Sequence, residues 1–185
     1  MTASWRNAAH LGAAMTVLIL EPGFGSASGQ AQNLCDQAAQ QAAARSAVPV
    51  EFLLAITRVE TGRRMQGELQ PWPWTINIAG QGHWFPDASE AIAFASDQLA
   101  LGQENFDVGC FQINLHLHGA EFASLRAMFD PQTNADYAAD FLTTLHHSEG
   151  GWPEAVAAYR SRTRVRAADY LQEVETVLAG FATGE

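Results

Sequence analysis

One stretch constrains the fold of this chain more than any other. Val50 to Thr61 carries Phe52, Leu53, Leu54, Ala55, Ile56 and Val59 within a single helical span. A helix that is apolar around most of its circumference has no face to offer water. It must therefore lie inside a domain, with other elements wrapped around it. Pro49 suits its first turn, where a missing N–H costs nothing, and Gly62 is a natural stop after Thr61. A carboxyl, Glu60, stands at the end of this helix. There it meets the negative end of the helix dipole and apolar neighbours. Both favour the protonated form, the state a general acid needs near neutral pH. A solvated glutamate facing away from the core is the alternative at this level.

Other elements follow from local signals. Asp36 to Ala47, rich in Ala and Gln, reads as a helix. Trp74 to Ile78 and His83 to Phe85 read as two short strands about a glycine-rich turn. Asp87, with Glu90 three residues on, opens a helix that runs to about Leu101 and ends at Gly102. After a loop from Val108 to Asn114, three helices are expected, over about Pro131–His147, Trp152–Tyr159 and Ala167–Phe181. The class is mainly α (α+β): one helical domain with a small antiparallel β-hairpin insertion. A length of 185 residues suits one domain.

Composition narrows the function. Acidic residues number 20 and basic residues 10, for a net charge of −10, which argues against nucleic acid as a partner. All ten basic residues are arginine, so phosphate-binding and Schiff-base lysines are excluded. The arginines at alternate positions from Arg160 to Arg166 read as a solvated face. Residues 1–31 read as a secretory signal: Leu11 to Leu20 is apolar, Glu21-Pro22-Gly23 ends it, and small residues follow. The run is too short to span a bilayer. The expectation is a periplasmic domain over residues 32–185 with no stable membrane span; an uncleaved anchor or a tail is the alternative. In an oxidising compartment the two cysteines, Cys35 and Cys110, are free to join, although two separately buried thiols remain open. His116 and His118, like His146 and His147, lack the i, i+4 spacing of a helical zinc site, so they read as surface histidines with neither metal nor cofactor expected.

Two further groups bear on chemistry. Gln112 and Asn114 place two amides in one loop, suited to sugar hydroxyls and N-acetyl groups, or else to a tight structural turn. Trp72, Trp74 and Trp84 surround the expected hairpin. Such rings stack on sugars but also fill cores, as Tyr159 does by default.

In order along the chain, these pieces resemble the catalytic domain of soluble lytic transglycosylases, within the goose-lysozyme-like superfamily. The likeness runs from about Cys35 to Tyr170 and is to the short, exported, single-domain members. Val59-Glu60-Thr61-Gly62 is similar to the family's Glu-Ser at the end of a buried helix, with Thr keeping the hydroxyl. Gly109-Cys110-Phe111-Gln112 resembles Gly-Leu-Met-Gln, and Asp130-Pro131-Gln132-Thr133-Asn134 resembles a helix opening with Asn-Pro. Ala158-Tyr159-Arg160-Ser161-Arg162 resembles Ala-Tyr-Asn-Ala-Gly but keeps only the tyrosine beyond Ala158. The resemblance implies a lysozyme-like fold and one catalytic residue, Glu60, acting on peptidoglycan glycan strands. It also implies that Tyr159 hydrogen-bonds Glu60, that Gln112 holds substrate and that Phe111 lines the cleft. Asn114, Asn77, Trp74 and Trp84 complete the expected substrate contacts. Service to a wall-spanning flagellar or secretion assembly is an expectation of the same kind. A hydrolytic muramidase and a non-catalytic wall-binding module are the competing readings. A hydrolase with two carboxylates would draw its second from Glu68, Glu104 or Asp107.

Overall fold

The computed structural model describes residues 27–183 except 66 and 162, with side chains from residue 34 onward. In chain order the elements are α1 (Ala27–Arg45), α2 (Val50–Thr61), β1 (Arg63–Met65), β2 (Glu68–Gln70), β3 (Thr75–Ile78), β4 (Gln81–Trp84) and α3 (Ala88–Ala100). Then come β5 (Phe106–Val108), β6 (Ile113–Asn114), α4 (Leu115–His118), a 3-10 turn, α5 (Leu125–Phe129), α6 (Pro131–Glu149), α7 (Trp152–Arg160) and α8 (Arg164–Thr183). The mainly helical α+β class is as expected. The leader expected over residues 1–31 lies outside the described residues up to residue 26; beyond that it overlaps the start of α1. Among the described residues, no helix is long and apolar enough to cross a membrane.

α2 is the central helix that its sequence demands. It packs between α1 and α8, while α6 packs on α1 and α7. Leu53, Ala55 and Ile56 are fully buried and join Phe111, Leu142, Val156 and Val174 in one core. Each large aliphatic side chain buried in this way stabilises the fold by about 1.5–3 kcal/mol. The caps follow the sequence. Asp87 accepts from the Glu90 N–H at 3.0 Å, and Asp130 accepts from the Thr133 N–H at 2.8 Å with Pro131 in the first turn of α6. Gly62 does end α2, but its backbone is extended rather than left-handed. A Cβ there would collide with the Arg58 carbonyl and the Leu69 side chain, so close approach, not φ, explains the glycine.

The β element is larger than the single hairpin expected. β3 and β4 pair antiparallel across Ala79 and Gly80, whose φ values of 52° and 83° make the two-residue turn that suits strand twist. β3 pairs on its other edge with β5, and β5 with β6, giving the order β4-β3-β5-β6. β5 and β6 are too short to show an alternation in the sequence; pairing with Ile76 and Ile78 defines β5, and pairing with β5 defines β6. A separate β1–β2 hairpin follows Gly62 directly.

The disulfide between Cys35 and Cys110 is present, with an S–S distance of 2.11 Å. It ties α1 to the loop between β5 and β6. Asn134, fully buried in α6, holds the same loop from the opposite side. Its side chain accepts from the Phe111 N–H at 2.9 Å and donates to the Val108 and Met128 carbonyls at 3.2 and 3.0 Å. Gly109 has φ of 81°, and a Cβ there would lie 2.6 Å from the Asn134 amide. Gly109→Ala is therefore expected to cost roughly 2–4 kcal/mol, from a strained backbone and an overfilled site. A thermal melt matching the wild type would contradict this.

Candidate functional site

Glu60 lies in the last turn of α2 with a side chain only 5% exposed. Its Oε2 accepts from Arg160 Nη1 at 3.3 Å, while Oε1 is buried without a hydrogen-bond partner. The carboxyl pKa is raised to about 7. Burial is the main cause, Asp107 and Glu173 add to it, and Arg160 and Tyr170 work against it. The protonated form expected from the helix end is thus favoured, chiefly by removal from water.

Two tyrosines lie close to Glu60, and neither makes the hydrogen bond expected of Tyr159. Tyr159, on α7, was expected to hydrogen-bond Glu60. Instead its hydroxyl donates to the Phe111 carbonyl at 2.8 Å. Arg160 already occupies Oε2, and the buried Phe111 carbonyl needs a donor. Tyr170, on α8, is the phenol that acts directly on the Glu60 carboxyl, although neither its hydroxyl nor Oε1 reaches hydrogen-bond geometry. Burial first, and the Glu60 charge second, push both phenols well above their ordinary range. The two rings stack with centroids 6.4 Å apart.

Of the three candidate second carboxylates, the structure selects Asp107. Its Oδ2 lies 4.0 Å from the Arg160 nitrogen that Glu60 engages. The two distances laid end to end put the carboxylates within about 7 Å of each other. Burial raises the Asp107 pKa, against an opposing hydrogen bond from Asn114 at 2.7 Å. Glu68 is exposed beside Gln70, and Glu104 is exposed 3.8 Å from His116.

Asp107, Gln112, Asn114, His118, Phe141, Tyr159 and Arg160 line a cleft of about 210 Å³. Gln112 holds a φ of 47° and is buried; its amide N–H donates to the Gly109 and Thr75 carbonyls at 3.0 and 3.2 Å. Its Oε1 is buried without a hydrogen-bond partner. Asn114 reaches the cleft as well, but it also caps α4 by accepting from the Leu117 N–H at 3.0 Å. Phe111 does not line the cleft. Its side chain is fully buried, because the turn between Gly109 and Gln112 faces it into the core.

The hairpin residues fall outside this cleft. Asn77 accepts from the Gly80 N–H at 3.0 Å and so closes the β3–β4 turn. Trp74 is half-buried, edge-on to Trp72 at 5.9 Å. Trp84 exposes 42% of its surface and donates to the Thr61 carbonyl at 3.1 Å, which places an open indole at the end of the helix bearing Glu60. The Thr61 hydroxyl is used structurally: it donates to the Thr57 carbonyl and accepts from the Trp72 N–H.

Sequence reasoning missed three residues. Arg160 was grouped with solvated arginines, yet it reaches two carboxylates. Tyr170 lies in the expected last helix, Ala167–Phe181, with no role assigned to it. His118, read as a surface histidine, is half-buried at the cleft, with Nδ1 2.7 Å from the Tyr137 hydroxyl; burial leads in lowering its pKa. Only Tyr170 carries a signal, as the one hydroxyl among Leu171, Val174, Val177, Leu178 and Phe181 at helical spacing. Among the described residues, no group of three or more His, Cys, Asp and Glu side chains converges as a metal site would require. Compared with protein-family models, curated proteins and solved structures, the chain finds no match in any of the three.

Proposed function

We propose that this protein is a lytic transglycosylase of peptidoglycan, exported to the periplasm, that uses Glu60 as its single acid and base. The observation that carries this reading is a side chain almost wholly withdrawn from water, joined through Arg160 to the cleft that Arg160 and Asp107 line, and holding a proton near neutral pH. One residue that must donate and then accept a proton works best with a pKa near ambient pH. Glu60 gives its proton to the oxygen linking N-acetylmuramic acid to N-acetylglucosamine, and the C1–O bond breaks. The muramoyl C6 hydroxyl oxygen bonds to C1, and its proton passes to the Glu60 carboxylate. The product is a 1,6-anhydro ring, no water is consumed, and Glu60 is restored. The Asn114 side chain at the cleft is suited to sugar hydroxyls, and the exposed Trp84 face is suited to stacking. The protein and the glycan's peptides both carry negative charge, so binding rests on such contacts rather than on net attraction.

One observation favours a second reading. Asp107 lies no more than about 7.3 Å from Glu60, close enough to serve as the second carboxylate of a two-carboxylate glycosidase. A hydrolytic muramidase is therefore the rival. Mass spectrometry of digested peptidoglycan separates the two. Muramoyl ends lighter by one water are expected; reducing muramoyl ends alone would reject the lytic reaction in favour of hydrolysis.

A further inference from the structure

The feature that the proposed reaction leaves unused is Arg160. It is the last residue of α7, a hundred positions from Glu60 in sequence, and its side chain remains 45% exposed. One guanidinium nitrogen meets both Glu60 Oε2 at 3.3 Å and Asp107 Oδ2 at 4.0 Å. No other described cation forms an ion pair with either carboxylate. Two half-buried or buried carboxylates this close repel each other once both are ionised. A guanidinium charge between them offsets that repulsion and gives both carboxylates one shared partner.

We propose that Arg160 is a positioning residue: it bridges Glu60 to Asp107, aims both carboxylates, and stabilises the anion that Glu60 becomes after giving up its proton. The role in turnover rests on the lytic reading above; the bridge itself does not. The groups facing Glu60 are Tyr159 and Arg160 from α7, Tyr170 and Glu173 from α8, and Asp107 from β5. Arg160 is the one cation among these described groups. Its exposure also makes substitution tolerable to the fold.

The test follows Glu60 directly. The side-chain carboxyl of Glu60, labelled with carbon-13, is titrated by NMR in wild type, Arg160→Gln and Arg160→Lys, alongside pH–rate profiles on peptidoglycan. Loss of the cation disfavours the ionised form, so the Glu60 midpoint is expected to rise by about one pH unit in Arg160→Gln. The alkaline limb of the rate profile is expected to rise with it, and the maximal rate to fall roughly tenfold. Arg160→Lys should return the midpoint toward wild type. An unmoved midpoint in Arg160→Gln, with folding intact by circular dichroism, overturns the role of Arg160 and leaves the lytic reading standing. A midpoint that rises while the rate profile stays fixed supports the bridge but overturns Glu60 as the acid, and with it the lytic reading.

Discussion

Glu60→Gln is expected to abolish glycan cleavage while making the folded protein more stable above neutral pH. Glutamine keeps the shape of the side chain and has no proton to give. General acid–base catalysis by one group contributes roughly 10²–10⁴-fold, and Glu60 is asked to serve in both directions, so a loss of at least about 10³-fold is expected. The gain in stability has the same physical origin. The folded-state pKa of about 7 exceeds the ordinary 4.5, so the folded protein holds a proton that the unfolded chain releases. The stabilisation from that proton is complete below about pH 4.5 and is lost as pH rises through about 7. Above that point, the buried charge costs about 3 kcal/mol. Glutamine is free of that cost. Urea unfolding at about pH 8 should place the variant midpoint above wild type, and at about pH 4 the difference should vanish. Wall lysis by Glu60→Gln at the wild-type rate would instead show that Glu60 is not the acid.

The second large effect belongs to the disulfide. Cys35 and Cys110 are both fully buried and lie 75 residues apart in sequence. Closing a loop of that length in the unfolded chain is worth roughly 4 kcal/mol on the chain-entropy account. The bridge also anchors the loop whose next residues are Phe111 and Gln112, so its loss should loosen the cleft before the whole domain unfolds. Cys35→Ala/Cys110→Ala is expected to unfold at a much lower urea concentration than the oxidised wild type. Reductant should have no further effect on the variant. Equal midpoints for oxidised and reduced wild type would show that the bridge adds nothing.

Much of the fold was legible because its signals are local. The apolar circumference of α2, the Asp87 and Asp130 caps, and the turn at Ala79 and Gly80 each depend on residues within a few positions of one another. The four-stranded sheet was legible only in part. β3 and β4 show themselves through their turn, whereas β5 and β6 are too short to carry a pattern of their own. Phe111 shows the limit most plainly. Its motif position implied the cleft, but the left-handed backbone at Gly109 and Gln112 decides which way it faces, and that puts it in the core.

By itself, the sequence determined that Glu60 would end a buried helix, because burial there follows from the apolar residues around it on the same helix. Which groups meet that carboxyl was decided only by the packing of α8 against α2, of α7 against α8, and by the pairing of β5 with β3. Arg160, Tyr170 and Asp107 come from three elements distant in the chain, and no local periodicity records whether a side chain turns toward solvent or toward a carboxylate a hundred residues away. Tertiary packing thus sends Tyr159 to the Phe111 carbonyl and leaves Glu60 to Arg160 and Tyr170, because a buried polar atom is governed by the partners within its reach.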